Sequence, residues 1–186
     1  MRPILRAAWL VLPILFAGAG WMHFRTTRYD HIIEQASDRN GINFYLIKAL
    51  VFQESWFRPD IRGGSGELGL MQVSMAAASD FCTRKGFLPF YEERLLEPEL
   101  NVEIGCWYLR QSIDRYKSTP TPELFALLRY NAGQARADVW AKQALSSFVP
   151  PGISPERYYL SLVDIPKTRE YVRSILQRSR NHQFWF

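Results

Sequence analysis

From about Tyr29 onward, apolar residues recur at helical spacing and nowhere sustain the alternation of a half-buried strand, which confines the chain to an all-α fold. The pattern predicts helices at about Tyr29 to Asp38, Asn43 to Trp56, Val73 to Thr83, Pro98 to Tyr116, Pro122 to Tyr130, Gly133 to Leu145, Pro155 to Leu162 and Lys167 to Arg178. Breakers separate them: Asn40-Gly41, the proline boundary Arg58-Pro59, Ser118-Thr119-Pro120-Thr121-Pro122 and Val149-Pro150-Pro151-Gly152. No repeat period appears. The 186 residues suffice for one compact domain, set at residues 28–186, plus a short extra segment. Apolar residues make up 47% and charged residues 22%, enough to bury a core and unlike a disordered tail.

The extra segment, residues 1–27, has its own logic. Arg2 and Arg6 precede Ala7 to Phe24, a run without Asp, Glu, Lys or Arg. As a helix it would span about 27 Å, close to the thickness of a bilayer's hydrocarbon core. Two readings stay open: a cleaved export signal with the small residues Ala17-Gly18-Ala19 near its end, or a retained anchor holding residues 1–24 in the cytoplasmic membrane. Arg25 and Arg28 flank the far end, so charge asymmetry does not choose between them. No Cys follows the run, which argues against a lipid anchor. Either way the remainder is exported, to the periplasm or cell envelope.

The formal charge is +5 and the pI about 9.4. Such a mild excess suits an anionic wall or membrane surface. It is too scattered for nucleic acid, and no basic run interleaves with stacking aromatics. Cys82 and Cys106 both lie in the exported part, where they either pair as a disulfide or stay apart as small buried side chains. His23, His31 and His182 are remote from them in sequence, so neither a metal site nor a cofactor is expected.

Glu54 is the most unusual residue by position. It follows Leu50 by four residues, Ile47 by seven and Val51 by three, on the apolar face of its helix. Burial there raises a carboxyl pKa, as a general acid acting on a glycosidic oxygen requires. The alternative is a glutamate at a helix end where the face turns to solvent. Gly64-Ser65-Gly66-Glu67-Leu68-Gly69 formally fits a dinucleotide fingerprint. That motif needs a preceding strand and a βαβ unit, whereas here it follows an amphipathic helix.

Four segments occur in a telling order: Gln53-Glu54-Ser55-Trp56-Phe57, then Gly66-Glu67-Leu68-Gly69-Leu70-Met71-Gln72-Val73, then Tyr130-Asn131-Ala132-Gly133, then Thr168-Arg169-Glu170-Tyr171-Val172. Together they resemble the catalytic domain of the soluble lytic transglycosylases, a lysozyme-like fold close to the goose-type lysozymes, from about Ile42 to Ile175. The resemblance implies a single globular domain that acts on peptidoglycan glycan strands. It makes Glu54 the single acid/base and Ser55 its neighbour at the site. Gly69, Leu70, Met71 and Gln72 become the lining of the sugar groove, with Gln72 bonding saccharide. Tyr130 and Asn131 become the facing wall, and Tyr171 a hydroxyl approaching the catalytic carboxyl group. Leu70, Met71, Tyr130 and Tyr171 remain open to ordinary core roles, and Asn131 to a helix-end role.

Three positions depart from the family pattern. Gly63 stands where many members have Ser, Glu67 where they have Ala, and Met75 where they have Pro. Glu67 either braces its loop or adds a second carboxylate. The family chemistry is non-hydrolytic: the acid protonates the linking oxygen, then deprotonates the muramyl 6-hydroxyl, which closes on its own anomeric carbon to give a 1,6-anhydro end. The alternatives are a muramidase using water, with Glu67, Asp60 or Asp80 as the second carboxylate, and a wall-binding accessory of an envelope-spanning secretion apparatus.

Overall fold

The computed structural model describes Gly18, residues 20–87 and residues 90–181. The apolar run Ala7 to Phe24 therefore lies largely outside the described residues. Its end, residues 20–27, is helical, and among the described residues no helix is long and apolar enough to cross a membrane. The remaining helices are α1 (Asp30–Asn40), α2 (Phe44–Ser55), α3 (Met75–Lys85), α4 (Pro98–Arg115), α5 (Pro122–Ala132), α6 (Gln134–Leu145), α7 (Pro155–Ser161) and α8 (Pro166–Arg180). No strand forms among the described residues. Two isolated antiparallel bridges, Arg62 with Leu68 and Leu68 with Val73, shape the loop between α2 and α3. The all-α expectation holds, and each predicted helix is present. The 3₁₀ segment Glu92–Leu96 escapes the periodicity because five residues are too few to show one.

Two helices form the centre. In α2 the whole run from Leu46 to Val51 is buried, and in α5 the run from Leu124 to Leu128. A helix apolar on every side belongs in the interior, where neighbours cover it all round. α2 packs against α1 and along α8, while α5 is enclosed by α4, α6 and α8. Lys48 is the exception within the α2 run. Its ammonium is fully buried against Asp30 of α1, 2.8 and 2.9 Å from the two carboxylate oxygens.

The ends of α2 set the frame for Glu54. At its start the Asn43 side chain accepts from the backbone N–H groups of Tyr45 (2.9 Å) and Leu46 (3.2 Å). The helix ends at Ser55, one residue short of the Trp56 expected from the sequence and ahead of the Arg58-Pro59 breaker. Trp56 and Phe57 adopt left-handed φ values of 54° and 57°, conformations that bulky residues rarely take. Two arginines hold this turn: Arg25 Nε donates to the Trp56 carbonyl (2.8 Å) and Arg28 Nη2 to that of Phe57 (3.0 Å). Cations at a helix C-terminus satisfy carbonyls that have lost their helical partners. The residues that flank the apolar run in sequence thus lock the end of the helix that carries Glu54.

Candidate active site

Glu54 sits in the last turn of α2, and the first turns of α8 cross it. There the Tyr171 hydroxyl donates a short hydrogen bond to Glu54 Oε1. Glu54 is largely withdrawn from water, and this burial pushes its carboxyl up to about 7. The Tyr171 hydrogen bond acts the other way by favouring the carboxylate, and the nearby charge of Glu67 raises it again. The result is an acid about half neutral at pH 7 and increasingly so below it, held by a fixed donor. Tyr171 is itself partly buried, and the withdrawal of its hydroxyl from water holds it protonated well above the ordinary range.

One turn before Tyr171 on the same face of α8, Thr168 Oγ1 donates to Asn131 Oδ1 at 2.8 Å. Asn131 is exposed at the end of α5, and this bond leaves its NH₂ group to donate elsewhere. α8 therefore ties the Glu54 helix to the Tyr130-Asn131 wall. The Tyr130 hydroxyl donates to the Met71 carbonyl at 2.7 Å, and its ring meets Tyr108 edge to face at 5.7 Å. With its hydroxyl so committed, Tyr130 serves as a wall and a loop clamp.

The loop from Ile61 to Val73 is pinned chiefly by Asn101, a fully buried residue of α4. Its Nδ2 donates to the carbonyls of Leu68 (2.8 Å) and Leu95 (2.7 Å), and its Oδ1 accepts from Met71 N–H (2.8 Å). Gly69 has φ +78°, and a Cβ there would run into the Asn101 amide and the Leu95 carbonyl, so only glycine fits. Asn101 is the residue that sequence reasoning missed. Its signal was a polar side chain in register with Gly105, Tyr108 and Ser112 on the inward face of α4.

Three of the residues named for the site by resemblance are buried. Leu70 and Met71 are fully buried, so they contribute core contacts and backbone rather than side chains facing sugar. Ser55 is buried, and its hydroxyl donates back to the Val51 carbonyl of its own helix (3.1 Å). Gln72, with an unusual φ of 47°, lines a pocket with Glu67, Tyr108 and Tyr130, and its NH₂ group braces the loop through the carbonyls of Ile61 (3.2 Å) and Gly69 (3.0 Å).

Of the carboxylates weighed as a second catalytic group, Glu67 is the one whose charge acts on Glu54. Asp80 is exposed on α3 and paired with Arg84 (2.8 Å), and Asp60 is exposed. Glu67 accepts from the Ser65 backbone N–H at 3.1 Å, a brace for its own loop. Cys82 and Cys106 are buried free thiols, so the disulfide left open by the sequence is not formed. Burial pushes the Cys106 thiol far up and makes it inert. Among the described residues, no group of three or more His, Cys, Asp and Glu side chains could hold a metal ion.

The family model described as Transglycosylase SLT domain matches residues 31–147. The chain is 28% identical over 155 residues to the membrane-bound lytic murein transglycosylase F of Desulfosudis oleivorans, a match covering 81% of this chain and 31% of that one. It is 30% identical over 142 residues to the peptidoglycan transglycosylase gp16 of Escherichia phage T7, covering 75% of this chain and 10% of that one. Among solved structures, the lytic transglycosylase Slt of Pseudomonas aeruginosa superposes with a TM-score of 0.70 at 24% identity, over 82% of this chain and 23% of that one. The chain thus spans a third or less of the length of these relatives.

Proposed function

Because the chain belongs to the transglycosylase SLT domain family, we propose that it is a lytic transglycosylase that cleaves the bond between N-acetylmuramic acid and N-acetylglucosamine in peptidoglycan. The observation that carries this is the Glu54–Tyr171 pair: a carboxyl group raised to about 7 by burial, with one oxygen held by a phenol hydroxyl. Tyr171 occupies Oε1, so Oε2 is the oxygen that carries and delivers the proton. Protonation of the linking oxygen breaks the glycosidic bond and leaves oxocarbenium character at the muramyl anomeric carbon. The sugar's acetamido oxygen stabilises that centre in place of an enzyme nucleophile. Glu54, now a carboxylate supported by the Tyr171 hydroxyl, takes the proton of the muramyl 6-hydroxyl as that oxygen closes on the anomeric carbon. An intramolecular hydroxyl has a large proximity advantage over water. The product carries a 1,6-anhydro end, the proton given in the first step is recovered in the second, and no water is consumed.

The exposed Asn131 amide is placed to hold an acetamido group, and the Gln72 side chain to border the sugar. One observation favours a second reading, hydrolysis: Glu67 is a second carboxylate near enough to act electrostatically on Glu54. Weighing the muropeptides released from purified peptidoglycan tests both, since a transglycosylase leaves anhydro ends and a hydrolase leaves reducing ends one water heavier. We further propose that the chain works in the cell envelope, delivered across the cytoplasmic membrane by residues 1–27 as a signal or anchor.

A further inference from the structure

Beside the Tyr130 wall lies a pocket of about 240 Å³, bordered by Glu67, Gln72, Ser74, Tyr108, Arg129 and Tyr130 among others. Arg129 is the one cation in its lining. Its guanidinium lies over the Tyr108 ring, with Cζ 4.7 Å from the centroid, and Nη1 donates to Ser112 Oγ at 2.9 Å. The Ser112 hydroxyl in turn donates to the Tyr108 carbonyl at 2.8 Å. Stacking and hydrogen bonding thus fix the plane of the guanidinium. Yet among the described residues no carboxylate forms an ion pair with it, and Nε is buried without a hydrogen-bond partner. Arg129 acts electrostatically on Asp138, but that carboxylate is already taken by Arg115 (2.7 Å) and the Tyr116 hydroxyl (2.7 Å). A planar, oriented and unpaired arginine at a groove wall is the donor arrangement that recognises a carboxylate.

We propose that Arg129 binds a carboxylate of the glycan substrate, seating it in the pocket beside Tyr130. This rests on the lytic transglycosylase reading and names what that enzyme would select. Peptidoglycan offers this chemistry from two sources: the lactyl group of muramic acid where no peptide is attached, and the acidic residues of the peptide stem where one is. Glu67 lines the same pocket, but its carboxylate is turned to the Ser65 N–H. The incoming anion therefore meets Arg129, and its repulsion from Glu67 fixes which way round it sits.

The test compares four glycan preparations with the wild type, Arg129→Gln and Arg129→Lys: native stem-bearing strands, the same strands with carboxylates converted to amides, strands stripped of stems to free the lactyl carboxylates, and those with the lactyl groups amidated. The wild type is expected to prefer a carboxylate-bearing preparation over its amidated form by about ten- to a hundredfold in kcat/KM, chiefly through KM. Arg129→Gln should reduce that ratio to about one, and Arg129→Lys should retain part of it. Preference within the first pair assigns the stem, and within the second the lactyl group. If the wild type cuts all four equally, or Arg129→Gln slows all four by the same factor with the ratio intact, the proposal is overturned and Arg129 is a prop for Tyr108. Thermal melts exclude misfolding, with Arg129→Lys as the folded control should Arg129→Gln melt early. Anhydro ends are scored in the same digests, so loss of carboxylate preference is distinct from failure of the transglycosylase reading.

Discussion

Gly63 and Glu67 fit one another: a Cβ placed on Gly63 would lie 2.5 Å from Glu67 Oε2 and 2.6 Å from Gln72 Oε1. Two of the departures from the family pattern are thus a single change in space, in which the missing side chain at 63 makes room for the carboxylate at 67. Gly63→Ser should disturb the loop and lower both melting temperature and activity, whereas Glu67→Ala should be tolerated. The double variant should recover, with a coupling of about 0.5–3 kcal/mol in a double-mutant cycle of thermal stability. Additive effects would show that the two positions are independent.

Opposite shifts of one pH profile are expected from the two neighbours of Glu54. Tyr171 favours the carboxylate and Glu67 opposes it. Tyr171→Phe should move the alkaline limb of kcat/KM upward and lower the maximum roughly ten- to a hundredfold, through loss of the carboxyl group's orientation. Glu67→Gln should move the limb downward. Shifts of the same sign in both variants would contradict the electrostatic assignment.

Stability should follow the same proton. The folded chain holds the Glu54 proton up to about 7, whereas an ordinary glutamic acid releases it near 4.5. The stabilisation from this difference is fully present below the lower value and is lost as pH rises through about 7. Its size is on the order of 3 kcal/mol. Glu54→Gln should therefore melt higher than the wild type at pH 8 and show a flatter dependence on pH between 5 and 8, measured by calorimetry.

Asn101→Ala leaves the carbonyls of Leu68 and Leu95 and the Met71 N–H without their buried partner. The expected loss is about 2–4 kcal/mol of stability. Activity should fall even where the protein stays folded, because the Gln72 loop loses its tie to α4. Denaturant titration beside a turnover assay at low temperature checks both.

The helices were legible because burial and helical spacing coincide along most of the chain. Glu54 could be picked out, but its position on an apolar face equally allowed a solvent-facing helix end. What separated the two was Tyr171, 117 residues away, a distance no local pattern spans. Asn101 stayed hidden because a polar residue in a helix reads as surface, and its three partners lie on other segments. The same limit hid the bond of Ser55, whose hydroxyl has two competing destinations and takes the backbone of its own helix. The end of α2 was legible to within one residue, but a proline that marks where a helix cannot continue does not show what closes it. Arg25 and Arg28 instead stabilise an earlier, left-handed turn.

The most direct measurement of whether Glu54 acts alone as acid and then base is the mass of the muropeptides that the purified protein releases from sacculi, read beside Glu54→Gln. The wild type should release fragments ending in 1,6-anhydromuramic acid, each lighter by one water than its hydrolysed counterpart, and Glu54→Gln should release almost none. Reducing muramic ends from the wild type, abolished by Glu67→Gln, would contradict this and make Glu67 the base of a hydrolase.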